Sequence, residues 1–285
     1  MKIGLNAWTI GGWRLNLPRG YDEAIRIASQ LGYQGLEVVY DDSNFSPDRI
    51  GKAARRRISE LADSHNLELP SVATGVFWRY SLSSPHEAER ERGLSYLRSG
   101  LELAADIGAS TLLVVPAVAR AEVGYRETYK LALSALNRAA RWAEDLGVNI
   151  GVENVWSRFL YDPEIFRRFV EEVGSERVGV YFDVGNVLEL SPFEHWLEIL
   201  GDKILVIQAK DYDMASRGPG GFRYVGQGSV DWSKFVSMLR QIGYDGYLNV
   251  ETPPEFSKPS DAIRIPEDGI EAAKTSLTNL RKYVA

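Results

Sequence analysis

One unit recurs along this chain. An amphipathic stretch ends in an apolar residue plus glycine, two or three residues follow, and a short β-branched run comes next. It is found at Leu31-Gly32 before 36–40, Ile107-Gly108 before 111–115, Leu146-Gly147 before 149–153, Val173-Gly174 before 178–183, Leu200-Gly201 before 204–210 and Ile242-Gly243 before 247–251. The residue after a helix often needs positive φ, which costs glycine nothing, so each pair reads as a helix stop ahead of a strand. Asn66 reads as another such stop, before 69–74, and 3–8 reads as the opening strand. Eight candidate strands then alternate with helical patterns near 21–31, 46–65, 86–107, 125–146, 162–173, 192–200, 231–241 and 266–283. Such alternation argues for a parallel sheet with crossover helices, and a sheet of this size most economically closes into a (β/α)8 TIM barrel. A doubly wound open sheet is the alternative arrangement. No Gly/Ser/Pro linker or compositional break divides the chain, so residues 1–285 are read as one domain.

Charge and cysteine content narrow the function. With 33 Lys+Arg against 39 Asp+Glu the formal charge is −6. Affinity for phosphate backbones comes largely from Lys and Arg displacing counterions, so nucleic acid is not an expected partner. The absence of cysteine excludes disulfides, thiolate metal sites and a Cys nucleophile, and fits a reducing compartment. Met1 leads straight into a strand-like segment, and no apolar run is long enough for a spanning helix. A cytoplasmic protein without a membrane partner is the expectation.

In a TIM barrel the active site lies at the C-terminal ends of the strands, so the polar residues that end each hydrophobic run are the candidates. Strand five ends in Glu153-Asn154, strand six in Asp183, strand seven runs into Gln208-Ala209-Lys210-Asp211, and strand eight ends in Glu251. Three carboxylates converging on one mouth would repel each other and raise one another's pKa unless a cation sat among them. A divalent metal resolves this economically, and oxygen donors suit Mn²⁺ or Mg²⁺, with Co²⁺ as a further candidate. Alternatively, each carboxylate could cap a helix or pair with Lys or Arg. His65, His86 and His195 all fall within or at the start of helical stretches, which argues against a His general base or a His-rich zinc cluster. Proton transfer would then use carboxylate, Lys or Tyr. Glu153 and Glu251 come from strands separated by two others and suit two-base exchange at the carbon beside a ketone, with the enediolate held by the metal. Return of the proton to the opposite face of the same carbon gives an epimer, and return to the next carbon gives an isomer.

These residues resemble the xylose-isomerase-like barrel superfamily and, within it, the D-tagatose 3-epimerase-like sugar isomerases and epimerases. The likeness covers nearly the whole chain: 31–37 (LGYQGLE), 151–156 (GVENVW), 181–186 (YFDVGN), Lys210-Asp211, 226–228 (GQG) and 246–251 (GYLNVE). The resemblance implies a divalent-metal-dependent ketose 3-epimerase or aldose-ketose isomerase acting on a free or phosphorylated sugar. Glu153 and Glu251 would be metal ligands that double as the acid/base pair, with Asp183 a third ligand. Gln208 stands where the family usually places a metal-binding His, and can offer an amide oxygen. Asn186 stands where the family often has a substrate-contacting His, and can bond a sugar hydroxyl without carrying a proton. The resemblance also implies a homodimer or homotetramer.

Further substrate contacts are expected from the same comparison. Arg223 resembles the family's arginine that grips a sugar oxygen after strand seven, with Arg217 as the competitor. Lys210 shares the strand parity of Gln208 and either points inward or forms a structural ion pair with Asp211. Glu37, ending strand two, either contacts substrate or anchors a loop. Phe77, Trp78 and Trp156 either wall the pocket, since sugar faces stack on aromatic rings, or serve core or loop packing. Three other functions stay open: a metal-dependent dehydratase or lyase on a polyol-derived ketone, a nuclease of the endonuclease IV type, and a sugar-binding barrel without turnover. Missing strand-end histidines and the acidic balance count against the nuclease.

Overall fold

The glycine stops set the first level of structure. Gly32, Gly108, Gly147, Gly174 and Gly243 all have positive φ, as does Asn66. Gly201 differs: its φ is −51°, and the chain runs through it into a short 3-10 turn, Gly201–Lys203. There glycine serves packing, because a Cβ would sit 3.1 Å from the Ile242 side chain.

The computed structural model describes residues 1–43, 45–256 and 258–284. Its barrel strands are β1 (Lys2–Asn6), β2 (Gly35–Tyr40), β3 (Ser71–Thr74), β4 (Thr111–Val114), β5 (Asn149–Glu153), β6 (Val178–Asp183), β7 (Ile204–Ala209) and β8 (Tyr247–Val250). The helices that follow them are α1 (Tyr21–Leu31), α2 (Lys52–Ser64), α3 (Glu87–Ile107), α4 (Tyr125–Leu146), α5 (Pro163–Glu172), α6 (Phe193–Leu200), α7 (Trp232–Gln241) and α8 (Glu267–Val284). The strands close in the order β1-β8-β7-β6-β5-β4-β3-β2, all parallel, which is the expected (β/α)8 barrel and not the open sheet. Asp162 caps α5 and Asp231 caps α7 through their side chains, satisfying backbone N–H groups that a first turn leaves unpaired.

Boundaries shift where local chemistry competes with the pattern. The first strand stops at Asn6, because its side chain accepts a hydrogen bond from Trp8 N at 2.8 Å and starts a short helix, Ala7–Gly11. The third begins at Ser71, after Pro70, which has no N–H to give a ladder. Among the described residues no helix is long and apolar enough to cross a membrane.

A polar network fills part of the barrel interior. Ser71 Oγ donates to Glu37 Oε1 at 2.8 Å, Asn249 Nδ2 donates to Ser71 Oγ at 2.9 Å, and Tyr181 OH lies 3.0 Å from Ser71 Oγ. Asn6 also donates to Glu37. Burial pushes the Glu37 carboxyl up to about 8, against the pull of its hydrogen bonds from Ser71 and Asn6. Gly4 makes room for this network, since a Cβ there would fall 2.1 Å from Asn249 Oδ1.

Candidate active site

The C-terminal ends of β5 to β8 bring the expected polar residues to one mouth. Glu153 closes β5, Asp183 closes β6, Gln208 is penultimate in β7 and Glu251 directly follows β8. All are buried. Asn154 fixes the first of these junctions: its Oδ1 accepts from Asp183 N and its Nδ2 donates to Asp183 O, both at 2.8 Å. Asp183 in turn caps the short helix Val184–Val187, with Oδ1 accepting from Asn186 N at 2.9 Å. Asn186 donates through Nδ2 to Asn154 O at 2.9 Å and to Glu153 Oε1 at 3.4 Å, and its carbonyl accepts from Trp156 Nε1 at 2.9 Å.

The charge among these carboxylates is carried by a lysine. Lys210 Nζ lies 2.7 Å from Asp183 Oδ2 and 2.6 Å from Glu251 Oε2, with its side chain only 6% exposed. The ammonium also stands over the rings of Phe222 (4.9 Å) and Phe256 (5.6 Å), as cation–π contact requires. Burial by itself would depress Lys210, but the carboxylates of Asp183, Glu251 and Glu153 outweigh it and hold the group above the usual lysine range. Lys210 therefore stays an ammonium. Burial raises Glu153 well above the usual carboxylate range; Lys210 opposes that shift and the charges of Asp183 and Glu251 add to it. Burial also raises Asp183 and Glu251, again opposed by Lys210.

This arrangement answers the expectation of a metal held by Glu153, Asp183, Gln208 and Glu251. The residues converge, but their donor set does not fit a divalent ion. The Gln208 amide end lies 3.2 Å from both Asp183 Oδ2 and Glu153 Oε1, and among protein groups alone it is satisfied when its nitrogen is turned toward them as a donor. Asp183 already receives Lys210 and Asn186 N. The buried side-chain oxygens left without a partner among the described residues are Asn249 Oδ1 and Glu255 Oε2, neither of them in the expected ligand set. Among the described residues, no group of three or more His, Asp or Glu is placed to hold a metal ion.

Glu153, Gln208, Lys210 and Glu251 line a cavity of about 1010 Å³. Asn186, Trp156 and Trp78 line it as expected. Three expectations are corrected. Glu37 lies outside the lining, in the interior network. Phe77 is fully buried core. Arg223 is spent on its own loop, donating to Gly220 O at 2.7 Å, Phe222 O at 2.9 Å, Asp213 Oδ2 at 3.0 Å and Ser216 Oγ at 2.7 Å. Its competitor Arg217 is largely exposed, 3.6 Å from Glu189. The arginines that do line the cavity are Arg14 and Arg79, the latter 2.7 Å from Asp42.

Sequence reasoning missed most of one wall. Trp8, Trp13, Phe256, Phe222 and Trp156 form a run of ring contacts with successive centroids 5.3, 5.6, 4.5 and 4.9 Å apart. Trp8 stands just beyond β1, where the strand-end rule could have found it. Phe222 and Phe256 come from loops with no periodicity to read.

Known proteins agree with this architecture. The family profile "Xylose isomerase-like TIM barrel" matches residues 25–282. A putative L-ribulose-5-phosphate 3-epimerase of Haemophilus influenzae is 25% identical over 250 residues, covering 85% of this chain and 87% of the relative. A D-psicose 3-epimerase, solved in the presence of D-fructose, superposes with a TM-score of 0.82 at 19% identity over 100% of this chain and 99% of its own. A D-allulose 3-epimerase from Methylomonas sp., solved with D-allulose, gives 0.79 at 22% identity over 99% and 97%. At these identities the solved structures establish the fold, while the profile spans most of the sequence, and the chain belongs to the xylose isomerase-like TIM barrel family.

Proposed function

We propose that this protein is a sugar 3-epimerase that acts on a small ketose by moving a proton at the carbon beside the carbonyl. The observation that carries the reading is a pair of buried glutamates, Glu153 and Glu251, that line one cavity from strands separated by β6 and β7 and differ in their surroundings. Glu251 is held by the Lys210 ammonium and is the carboxylate that can accept a proton. Glu153 faces the Asn186 and Gln208 amides, and burial raises it well above the usual carboxylate range, which favours it as the acid. The relatives named as L-ribulose-5-phosphate and D-psicose 3-epimerases support a ketose as substrate.

In this reading Glu251 takes the proton from C3, the C–H electron pair moves toward the carbonyl carbon, and the carbonyl oxygen gains charge. Glu153 then delivers its proton to the other face of C3 and the carbonyl re-forms. The proton ends on Glu251, which suits the reverse reaction or exchanges with solvent. Trp156 and Phe222, stacked at 4.9 Å, offer a flat apolar face to the sugar and exclude water. The metal implied by the family has no step here, because the donors present do not fit it.

Incubation with a panel of free and 5-phosphorylated ketoses in D₂O, followed by NMR, tests the proposal. Deuterium entering C3 together with the C3 epimer is expected. Loss of substrate to an unsaturated ketone would make the protein a dehydratase instead, and a panel that binds without taking up label would make it a binding barrel.

A further inference from the structure

We propose that the Lys210 ammonium is the built-in cation of this site, held between Asp183 and Glu251, so that proton transfer here requires no metal. The inference rests on the epimerase reading for its chemistry, but the occupancy of the site can be tested apart from it.

Three features show that the place is built for the lysine. The first is the pincer of two carboxylates at 2.7 and 2.6 Å with aromatic rings of Phe222 and Phe256 against the same nitrogen. The second is Gly185, in the short helix Val184–Val187. A Cβ there would lie 2.7 Å from Lys210 Cγ and 3.0 Å from the Lys210 carbonyl oxygen, so any larger residue would have to displace the stem. The third is Gln208, whose amide, turned with its nitrogen toward Asp183 and Glu153, donates to both and completes the polar partners around the lysine without an added ion.

An ammonium has three N–H bonds, and Asp183 and Glu251 engage two. Lys210 also lines the cavity, so the remaining donor is available to a substrate oxygen. When Glu251 removes the C3 proton, the charge that develops on the carbonyl oxygen would be met by this fixed cation, in surroundings dried by the aromatic wall. One positive charge does two things: it pairs with the Glu251 carboxylate at 2.6 Å and it stabilises the oxyanion.

The test uses the full chain, freed of metals by EDTA and dialysis. Titration of Mn²⁺ into the protein is followed by the EPR signal of the free aqua ion, beside C3 deuterium exchange. For wild type we expect an undiminished free-ion signal and exchange that chelation leaves unchanged. Stoichiometric loss of the signal, abolished by Asp183→Asn, would overturn the inference, as would exchange that stops on chelation and returns with Mn²⁺. Lys210→Met should lower exchange by about 10²-fold or more, and Gln208→His combined with Lys210→Met should now take up Mn²⁺. If those variants fail to fold, the wild-type titration still decides. If no ketose exchanges label under any condition, the epimerase reading fails, while the Mn²⁺ signal still reports whether lysine or metal occupies the site.

Discussion

The Lys210 ammonium lies 2.6 Å from Glu251 Oε2, whereas Glu153, at the same mouth, accepts from Asn186 Nδ2 at 3.4 Å and has the Gln208 amide end 3.2 Å away. The two glutamates are therefore not equivalent, and isosteric substitution should separate them. Burial favours the neutral form of Glu153, so Glu153→Gln should leave the fold its stability while C3 exchange falls by about 10²–10⁴-fold. Glu251→Gln should abolish exchange to a similar degree and also cost stability, on the order of 3 kcal/mol, because it strips one of two carboxylates from a buried ammonium. Exchange rates and urea unfolding of both variants check the asymmetry. Equal stability losses would contradict the assignment of the acid and the base.

The passage of Lys210 beside Gly185 gives a second test. In Gly185→Ala the new methyl would approach Lys210 Cγ, which can move, and the Lys210 carbonyl oxygen at 3.0 Å, which is backbone. A loss of about 1–3 kcal/mol is expected from overpacking. C3 exchange should fall further than the Tm change explains, since the displaced stem carries the ammonium. An alanine variant with wild-type exchange would mean that Lys210 is not held in place by this contact.

The strand ends were legible because a buried strand leaves a continuous apolar run and the residue that breaks it stands at the mouth; Glu153, Asp183, Gln208 and Glu251 all follow that logic. What they surround was not legible. Counting carboxylates implies a cation, but a pattern does not say whether it comes from solution or from Lys210, two residues beyond Gln208. The parity of Lys210 indicated an inward side chain, and its partners follow only from the barrel's closure, which brings β8 beside β7. Arg223 failed as a substrate residue for a related reason. A long side chain finds the nearest oxygens, and those belong to its own loop at 213, 216, 220 and 222.

Asp211, next to Lys210, shows the structural use of a strand-end carboxylate. Its oxygens accept from Tyr212 N at 2.9 Å, Gly226 N at 2.9 Å, Val230 N at 3.0 Å and Trp232 Nε1 at 2.9 Å. It thereby ties the loop after β7, including the Gly226-Gln227-Gly228 turn, to the start of α7. Asp211→Asn would turn an NH₂ group toward donors, costing about 2–3 kcal/mol. The Trp232 environment should change in near-UV circular dichroism, while Lys210 keeps its carboxylates and exchange persists. Complete loss of exchange in a folded Asp211→Asn protein would show that this anchor is part of the chemistry.

Glu37 provides a pH test of the barrel interior. Its carboxyl accepts from Ser71 and Asn6, and burial still pushes it up to about 8. A carboxyl whose folded pKa is raised is equally protonated in both states at acid pH, so it costs nothing there. As pH rises above the unfolded value, about 4.3, the unfolded chain releases its proton while the folded one retains it. Stability therefore falls through the window from about 4.3 to about 8 and levels off above it. Glu37→Gln keeps a neutral side chain of the same shape at every pH and removes this contribution. Near pH 5 the variant should match wild type closely. Near pH 9 it should be more stable by about 2 kcal/mol or more. The difference between the two proteins isolates Glu37, since Glu153, raised by the same physical cause, is present in both. Urea unfolding from pH 5 to pH 9 checks this, and parallel curves for the two proteins would show that Glu37 ionises in the fold as it does in the unfolded chain.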